Sequence, residues 1–308
     1  MSVEIEIPAN VTAAPLPRRV VAAGLRNPRG MVALDDGQLL VSEAGTGVPD
    51  DPLTGRLSRL TDRNADGDFL DQGEQRVLLD RQPSKNILDI VRRDEVFGMA
   101  GMENGGGTVL VALAFFGGPS TIFRIDGDAV TPWATTHGNI NDLAYEPRSG
   151  QWYGVASTTD EVVRLAPKGG AERVVKIPPL PSGQDPVPAY LVHDALSGEL
   201  LVTLFSGSPE GEEGGSGVEL VARAGGIIGV DPRAKRFHWV VRGLTVPTDL
   251  VVAPDGAIYV LEFCDAFLDP VPTREALAAG PSHGGFRRFS GRLLRIDRAR
   301  GQVSVVAT

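Results

Sequence analysis

Short apolar runs, broken by turns of Gly, Pro, Asp and Asn, fill the chain from residue 27 onward. Runs of this length, rich in Val, Ile and Leu and bounded by turn residues, predict half-buried β-strands. Five times the same pattern returns, a loop and an apolar strand followed by a Gly turn and a second apolar strand. The copies are NPRGMVALDDGQLLVSEAG (27–45), EVFGMAGMENGGGTVLVAL (95–113), INDLAYEPRSGQWYGVAST (140–158), PAYLVHDALSGELLVTLFS (188–206) and PTDLVVAPDGAIYVLEF (247–263). A third strand with an Arg/Ile-Asp ending follows each copy: RLSRLTD (56–62), IFRID (122–126), VVRLAP (162–167), GIIGVDP (226–232) and RLLRID (292–297). An outer strand closes each unit: QRVLLD (75–80), TPWATT (131–136), ERVVKI (172–177), FHWVVRG (237–243) and QVSVVAT (302–308).

Repetition of a four-stranded unit predicts an all-β fold, a β-propeller with five recognisable blades, since radial repetition protects sheet edges. The segment RRVVAAGL (18–25) reads as a left-over outer strand, which either closes the ring or marks a sixth blade. The expected organisation is one domain over 1–308, with an extended N-terminal arm (1–17) and a loop insertion over the channel mouth (264–290).

Composition narrows the function classes. The chain has 308 residues with a formal net charge of −9, which argues against nucleic acid and favours a small-molecule substrate or a cation. No run of about 20 apolar residues predicts a membrane span. No charged segment followed by an apolar run opens the sequence, so a cytoplasmic location is expected for the sequence as given, unless a secretory leader was removed. Cys264 is the single cysteine, which leaves no intrachain disulfide. Oligomeric state is open.

The stretches GLRNPRGMVALDDGQLLVSEAG and GLTVPTDLVVAPDGAIYVLEF, with the later GRLLRID, resemble the ScyD/ScyE-type propellers associated with scytonemin biosynthesis. More distantly they resemble NHL, strictosidine-synthase-like and gluconolactonase (SMP-30)-like propellers. Those families usually have six blades, and such phrases specify fold better than reaction.

In an up-and-down blade, residues opening the first strand and closing the second gather at one mouth. Aligning the copies on their Gly turns puts Gly30, Gly98, Asp142, Tyr190 and Asp249 at one level, preceded by Arg29, Phe97, Asn141, Ala189 and Thr248. Glu43 and Glu262 close the second strands. Acids crowded at one opening repel, and a cation relieves that cost. Ca²⁺ or another divalent cation suits the oxygen donors Glu43, Asn141 and Asp249. The gluconolactonase-like resemblance implies the same, Asn141 and Asp142 resembling that family's Asn-Asp pair. The alternative is that these acids are solvated or cap backbone N–H groups. Asp142, Glu262 and His283 are candidate proton-transfer groups, and Arg287 or Arg288 a candidate carboxylate or oxyanion binder. His283 and Arg287 lie in the 264–290 insertion, where TREALAAG predicts a helical turn.

A second acidic cluster, DRNADGDFLDQGE (62–74), places Asp62, Asn64, Asp66 and Asp68 in the alternation of a calcium loop with Gly67 at its turn. The expected Glu at the twelfth position is Gly73. A structural Ca²⁺ and a polar turn are the two readings. The function expected is a small-molecule enzyme with a metal-assisted site, of lactonase or ester-hydrolase type. One alternative is a tailoring enzyme for an aromatic or polyketide-like metabolite, with Phe97, Phe115, Phe116, Tyr190, Phe205, Phe263 and Phe267 as candidate pocket residues. The other is a non-enzymatic binding platform.

Overall fold

The computed structural model describes residues 4–8, 11, 19–86, 96–115, 118–181, 183–205, 222–263 and 291–307. Its strands are β1 (Ile5–Glu6), β2 (Pro28–Ala33), β3 (Leu39–Glu43), β4 (Gly55–Leu60), β5 (Gln75–Gln82), β6 (Lys85–Asn86), β7 (Val96–Phe97) and β8 (Met99–Gly105). There follow β9 (Thr108–Leu113), β10 (Ser120–Asp126), β11 (Ala129–Thr136), β12 (Ile140–Glu146), β13 (Gln151–Ala156), β14 (Glu161–Leu165), β15 (Ala171–Lys176) and β16 (Pro188–His193). The last are β17 (Leu200–Leu204), β18 (Gly225–Asp231), β19 (Arg236–Leu244), β20 (Pro247–Val252), β21 (Ile258–Glu262), β22 (Arg292–Asp297) and β23 (Gln302–Ala307).

Four consecutive strands make each blade: β2–β5, β8–β11, β12–β15, β16–β19 and β20–β23. These are the five blades of a β-propeller, and no helix occurs among the described residues. No described helix is long and apolar enough to cross a membrane. Every third and outer strand falls where the apolar runs predicted it.

Two compact units divide the chain. One comprises Met1–Leu16, Val155–Val163 and Arg173–Thr308, and the other Pro17–Gly154 with Arg164–Glu172. In the first unit, Tyr190, Leu201, Ile227 and Val241 of blade four bury against Leu250, Ile258, Val260, Leu294 and Ile296 of blade five. In the second, Val32, Leu40 and Leu57 of blade one pack on Met99, Met102, Val109 and Val111 of blade two. Alternate residues of each strand supply these faces, as the pleat requires. Each fully buried aliphatic side chain contributes about 1.5–3 kcal/mol.

One expectation is corrected. Residues 19–25 form no strand. Val21 accepts the Phe69 N–H at 2.7 Å, and Ala22 and Leu25 pack on Val41, Leu60 and Phe69. The run is apolar because it covers one face of blade one, a task that needs no ladder. The extra strand comes instead from the N-terminal arm, where β1 pairs in parallel with β19.

Candidate functional site

The inner strand of most blades opens with a bulge. In blade five Pro247 faces Glu262 and the next registered pair is Leu250–Val260, so Thr248 and Asp249 bulge between them. Ala189 and Tyr190 occupy that place in blade four, and Ala100 and Gly101 in blade two. Bulges re-aim side chains and are common beside functional sites.

The register corrects the alignment on Gly turns: Gly101, not Gly98, stands level with Asp249. Blade two turns tightly at Gly106–Gly107, since Gly105 pairs with Thr108, whereas Ala33 pairs with Leu39 across a longer loop in blade one. The first strand of blade two is correspondingly longer. Gly101 is required by close approach, because a Cβ there would lie 1.9 Å from the Asp142 carboxylate. Asp142 is thus buried on β12 against the backbone of the neighbouring inner strand.

A hydroxyl stitches neighbouring inner strands together. The Gly30 N–H donates to Ser42 Oγ at 2.9 Å, and Ser42 Oγ donates to the Ala100 carbonyl. Likewise the Tyr190 N–H donates to Thr203 Oγ1 at 3.1 Å, which donates to the Thr248 carbonyl at 2.9 Å. Within the first unit this places the Tyr190 and Asp249 bulges side by side.

Glu43 and Glu262 are both fully buried and both paired with arginine. Glu43 accepts from Arg56 Nε at 2.8 Å, Ser58 Oγ at 2.5 Å and the Arg26 N–H at 2.5 Å. Glu262 accepts from Arg292 Nε and from the Thr245 N–H at 2.6 Å. Burial pushes the Glu262 pKa up, and the hydrogen bonds from Arg292 and Thr245 only partly oppose it. In both blades the carboxylate ending the second strand faces the arginine opening the third. The sequence carries the signal as a recurring Gly-Arg-Leu at 55–57 and 291–293, one arginine for each strand-closing glutamate. With both oxygens engaged, Glu43 does not fit the role of metal ligand as placed. Asn141 Oδ1 already accepts from Asn139 Nδ2 at 3.2 Å. Among the described residues no group of three or more His, Cys, Asp or Glu side chains is placed to hold a metal ion.

Asp249 differs from both glutamates. It accepts only the Leu250 N–H, at 2.7 Å, and no arginine, lysine or histidine pairs with it among the described residues. Asp249 is half-buried on the bulge, and desolvation there, with no compensating cation among the described residues, pushes its pKa up to about 6.

His283, Arg287 and Arg288 lie outside the described residues, as do Phe116 and Phe267. Of the other aromatic candidates, Tyr190 is buried, Phe97, Phe115 and Phe205 are half-buried, and Phe263 is exposed.

The 62–74 loop folds on itself. Asp62 accepts the Asp66 and Gly67 N–H groups at 3.2 and 2.8 Å, and Asp66 accepts the Asp68 N–H at 3.1 Å. Asn64 Nδ2 donates to Asp66 and Asp71, while buried Glu74 accepts the Arg63 and Asp71 N–H groups. Asp62, Asn64 and Asp66 alternate along one turn with oxygens directed at backbone amides. The donor chemistry suits a hard cation, although those oxygens here accept backbone N–H groups as Asx turns do.

No family model matches the chain, and no curated protein matches it. Solved structures do. A protein of unknown function from Bacteroides thetaiotaomicron superposes with a TM-score of 0.57 at 13% identity, over 98% of this chain and 62% of its own length. A catalytically inactive virginiamycin B lyase from Staphylococcus aureus, with quinupristin, gives 0.50 at 10% identity over 94% of this chain and 73% of its own. A candidate gluconolactonase gives 0.47 at 13% identity over 79% and 87%. At these identities the first two superpositions establish the propeller fold, and the third carries no argument.

Proposed function

We propose that the chain is a small-molecule hydrolase of the lactonase or ester-hydrolase kind, with Asp249 as its proton-transferring carboxylate. One observation carries the reading. Three acids read from the sequence are buried at the openings or ends of inner-blade strands, and the two glutamates among them are neutralised by arginine. A fourth, Asp249, is held on a bulge with no cation beside it among the described residues. A fold gains no stability from such a group, and sites that perturb a carboxylate this way are candidates for acid–base work.

Ionised above pH 6, Asp249 would take a proton from water as that water attacks a substrate carbonyl. Protonated, it would return the proton to the leaving oxygen. The buried Glu262, paired with Arg292, would hold the strand end that sets the bulge, leaving proton transfer to Asp249.

The test is hydrolysis of a panel of lactones and aryl esters across pH 4–9. Turnover is expected to rise through an inflection near 6 in the native protein and to be lost in Asp249→Asn. An Asp249→Asn protein with full turnover would sink the assignment.

Ca²⁺ belongs, in this proposal, to the 62–74 loop as a structural ion, for which Asp62, Asn64, Asp66 and Asp68 would turn their oxygens from the backbone amides they now accept onto the cation. Chelator is then expected to lower the melting temperature while leaving the pH inflection in place. Thermal melts with and without added Ca²⁺ measure it, and superimposable melts would remove the ion from the account.

A further inference from the structure

Blade four has a fifth strand, and nothing in the repeat calls for it. Ile5 pairs with Val241 and Glu6 with Arg242 in parallel, and the Ile7 N–H donates to the Arg242 carbonyl at 2.9 Å. Only this short stretch is in register, so the main-chain hold is small. Side chains supply the rest. Ile5 and Ile7 are buried in the core shared by blades four and five, Ile7 completely. The acids alternating with them face arginines: Arg242 pairs with Glu4, and Arg223 lies 3.6 Å from Glu6 while donating to the Ile7 carbonyl at 2.6 Å. Gly243 keeps the edge open, since a Cβ there would sit 3.0 Å from the Glu6 carboxylate and 3.3 Å from the Ile7 carbonyl.

These contacts make a recognition pattern: two apolar sockets at alternate positions, two guanidinium groups alternating with them, and the outer hydrogen-bonding edge of β19 that β1 occupies. We propose that the edge of blade four is a strand-docking site for an extended segment alternating acidic and β-branched residues. Its resident occupant is residues 4–7 of the same chain, and the occupant it accepts in trans is the same segment of a second copy. Strand addition of this kind takes affinity from main-chain bonds and specificity from alternate side-chain pockets. A swapped strand remakes every contact that the resident one makes, so exchange needs no new interface. The charge pattern selects the occupant, because an alternating basic segment would set like charges against Arg223 and Arg242.

The experiment uses the full chain carrying Ile7→Asp, which withdraws the resident strand by placing a charge in the buried socket. A fluorescently labelled peptide of residues 1–11 is the probe, read by anisotropy. Saturable binding to the variant is expected, with the unmodified chain binding far less because its site is filled. A peptide with Lys at the positions of Glu4 and Glu6 is expected to bind about tenfold or more weakly. Absence of binding to an Ile7→Asp chain with native circular dichroism would overturn the proposal, and so would equal binding of a scrambled peptide. If Ile7→Asp does not fold, full-length Arg223→Ala serves. Its loosened strand should exchange with the probe faster than in the native chain, and an unchanged exchange rate would overturn the proposal equally.

Discussion

Asp249 sets a cost on the fold that no arginine among the described residues offsets. With its pKa pushed up to about 6, the folded chain holds this proton more tightly than the unfolded chain does. The contribution is therefore most favourable below the unfolded carboxyl range near 4 and is lost as pH rises through 6. Above pH 6 the ionised carboxyl destabilises the protein by at most about 3 kcal/mol. Asp249→Asn removes the charge and keeps the shape. Urea unfolding should find the variant more stable than the native chain at pH 8, by up to that amount, and no more stable at pH 4. Gain of stability together with loss of turnover is the signature of a functional carboxylate. A purely structural Asp249 would lose stability on substitution.

The blade-closing Glu–Arg pairs act on strands rather than on chemistry. Removing one member of a buried pair leaves the other charged and unsolvated, so Arg292→Met should cost roughly 3 kcal/mol in denaturant unfolding. Adding Glu262→Leu should recover most of it. The exposed Arg76–Asp128 pair is the control, where Arg76→Ala should cost under about 1 kcal/mol. Gly101→Ala drives a methyl into the Asp142 carboxylate and should destabilise blade two against blade three by about 1–3 kcal/mol. At this scale the sequence was most legible. Apolar alternation and turn residues located every third and outer strand, because both are consequences of burying one face of a sheet. Gly98 was placed wrongly because turn length differs between blades, and glycine spacing does not report hydrogen-bond register. Residues 18–25 looked like a strand because composition cannot distinguish a strand from a segment lying over a sheet. Glu43 and Glu262 were legible as buried acids, but their arginine partners lie across a long loop in blade one and across the 264–290 insertion in blade five. Asp249 differs from them in lacking such a partner among the described residues, a difference that spacing along the chain does not report.

Over the whole molecule the carboxylates pull stability in two directions. Burial alone would raise Asp194, but hydrogen bonds from Arg298, Ser197 and the Leu196 N–H outweigh it and hold the pKa below the ordinary range. Asp231 is likewise held low, chiefly by the Ala234 N–H. Such groups stabilise the fold above the unfolded pKa, and that contribution is lost as pH falls toward their folded values. Asp249 and Glu262, held high by burial, work in the opposite sense and weaken the fold as they ionise. The two tendencies cross between about pH 4 and 6, above the unfolded carboxyl values and below the Asp249 transition. Melting temperature measured from pH 3 to 9 should therefore peak on the mildly acid side of neutrality and decline through pH 6. In Asp249→Asn that decline should flatten while the acid limb, governed by Asp194 and Asp231, stays where it was. A native profile that kept rising through pH 7 would show Asp249 to be compensated in solution, and would remove the basis for assigning it the proton.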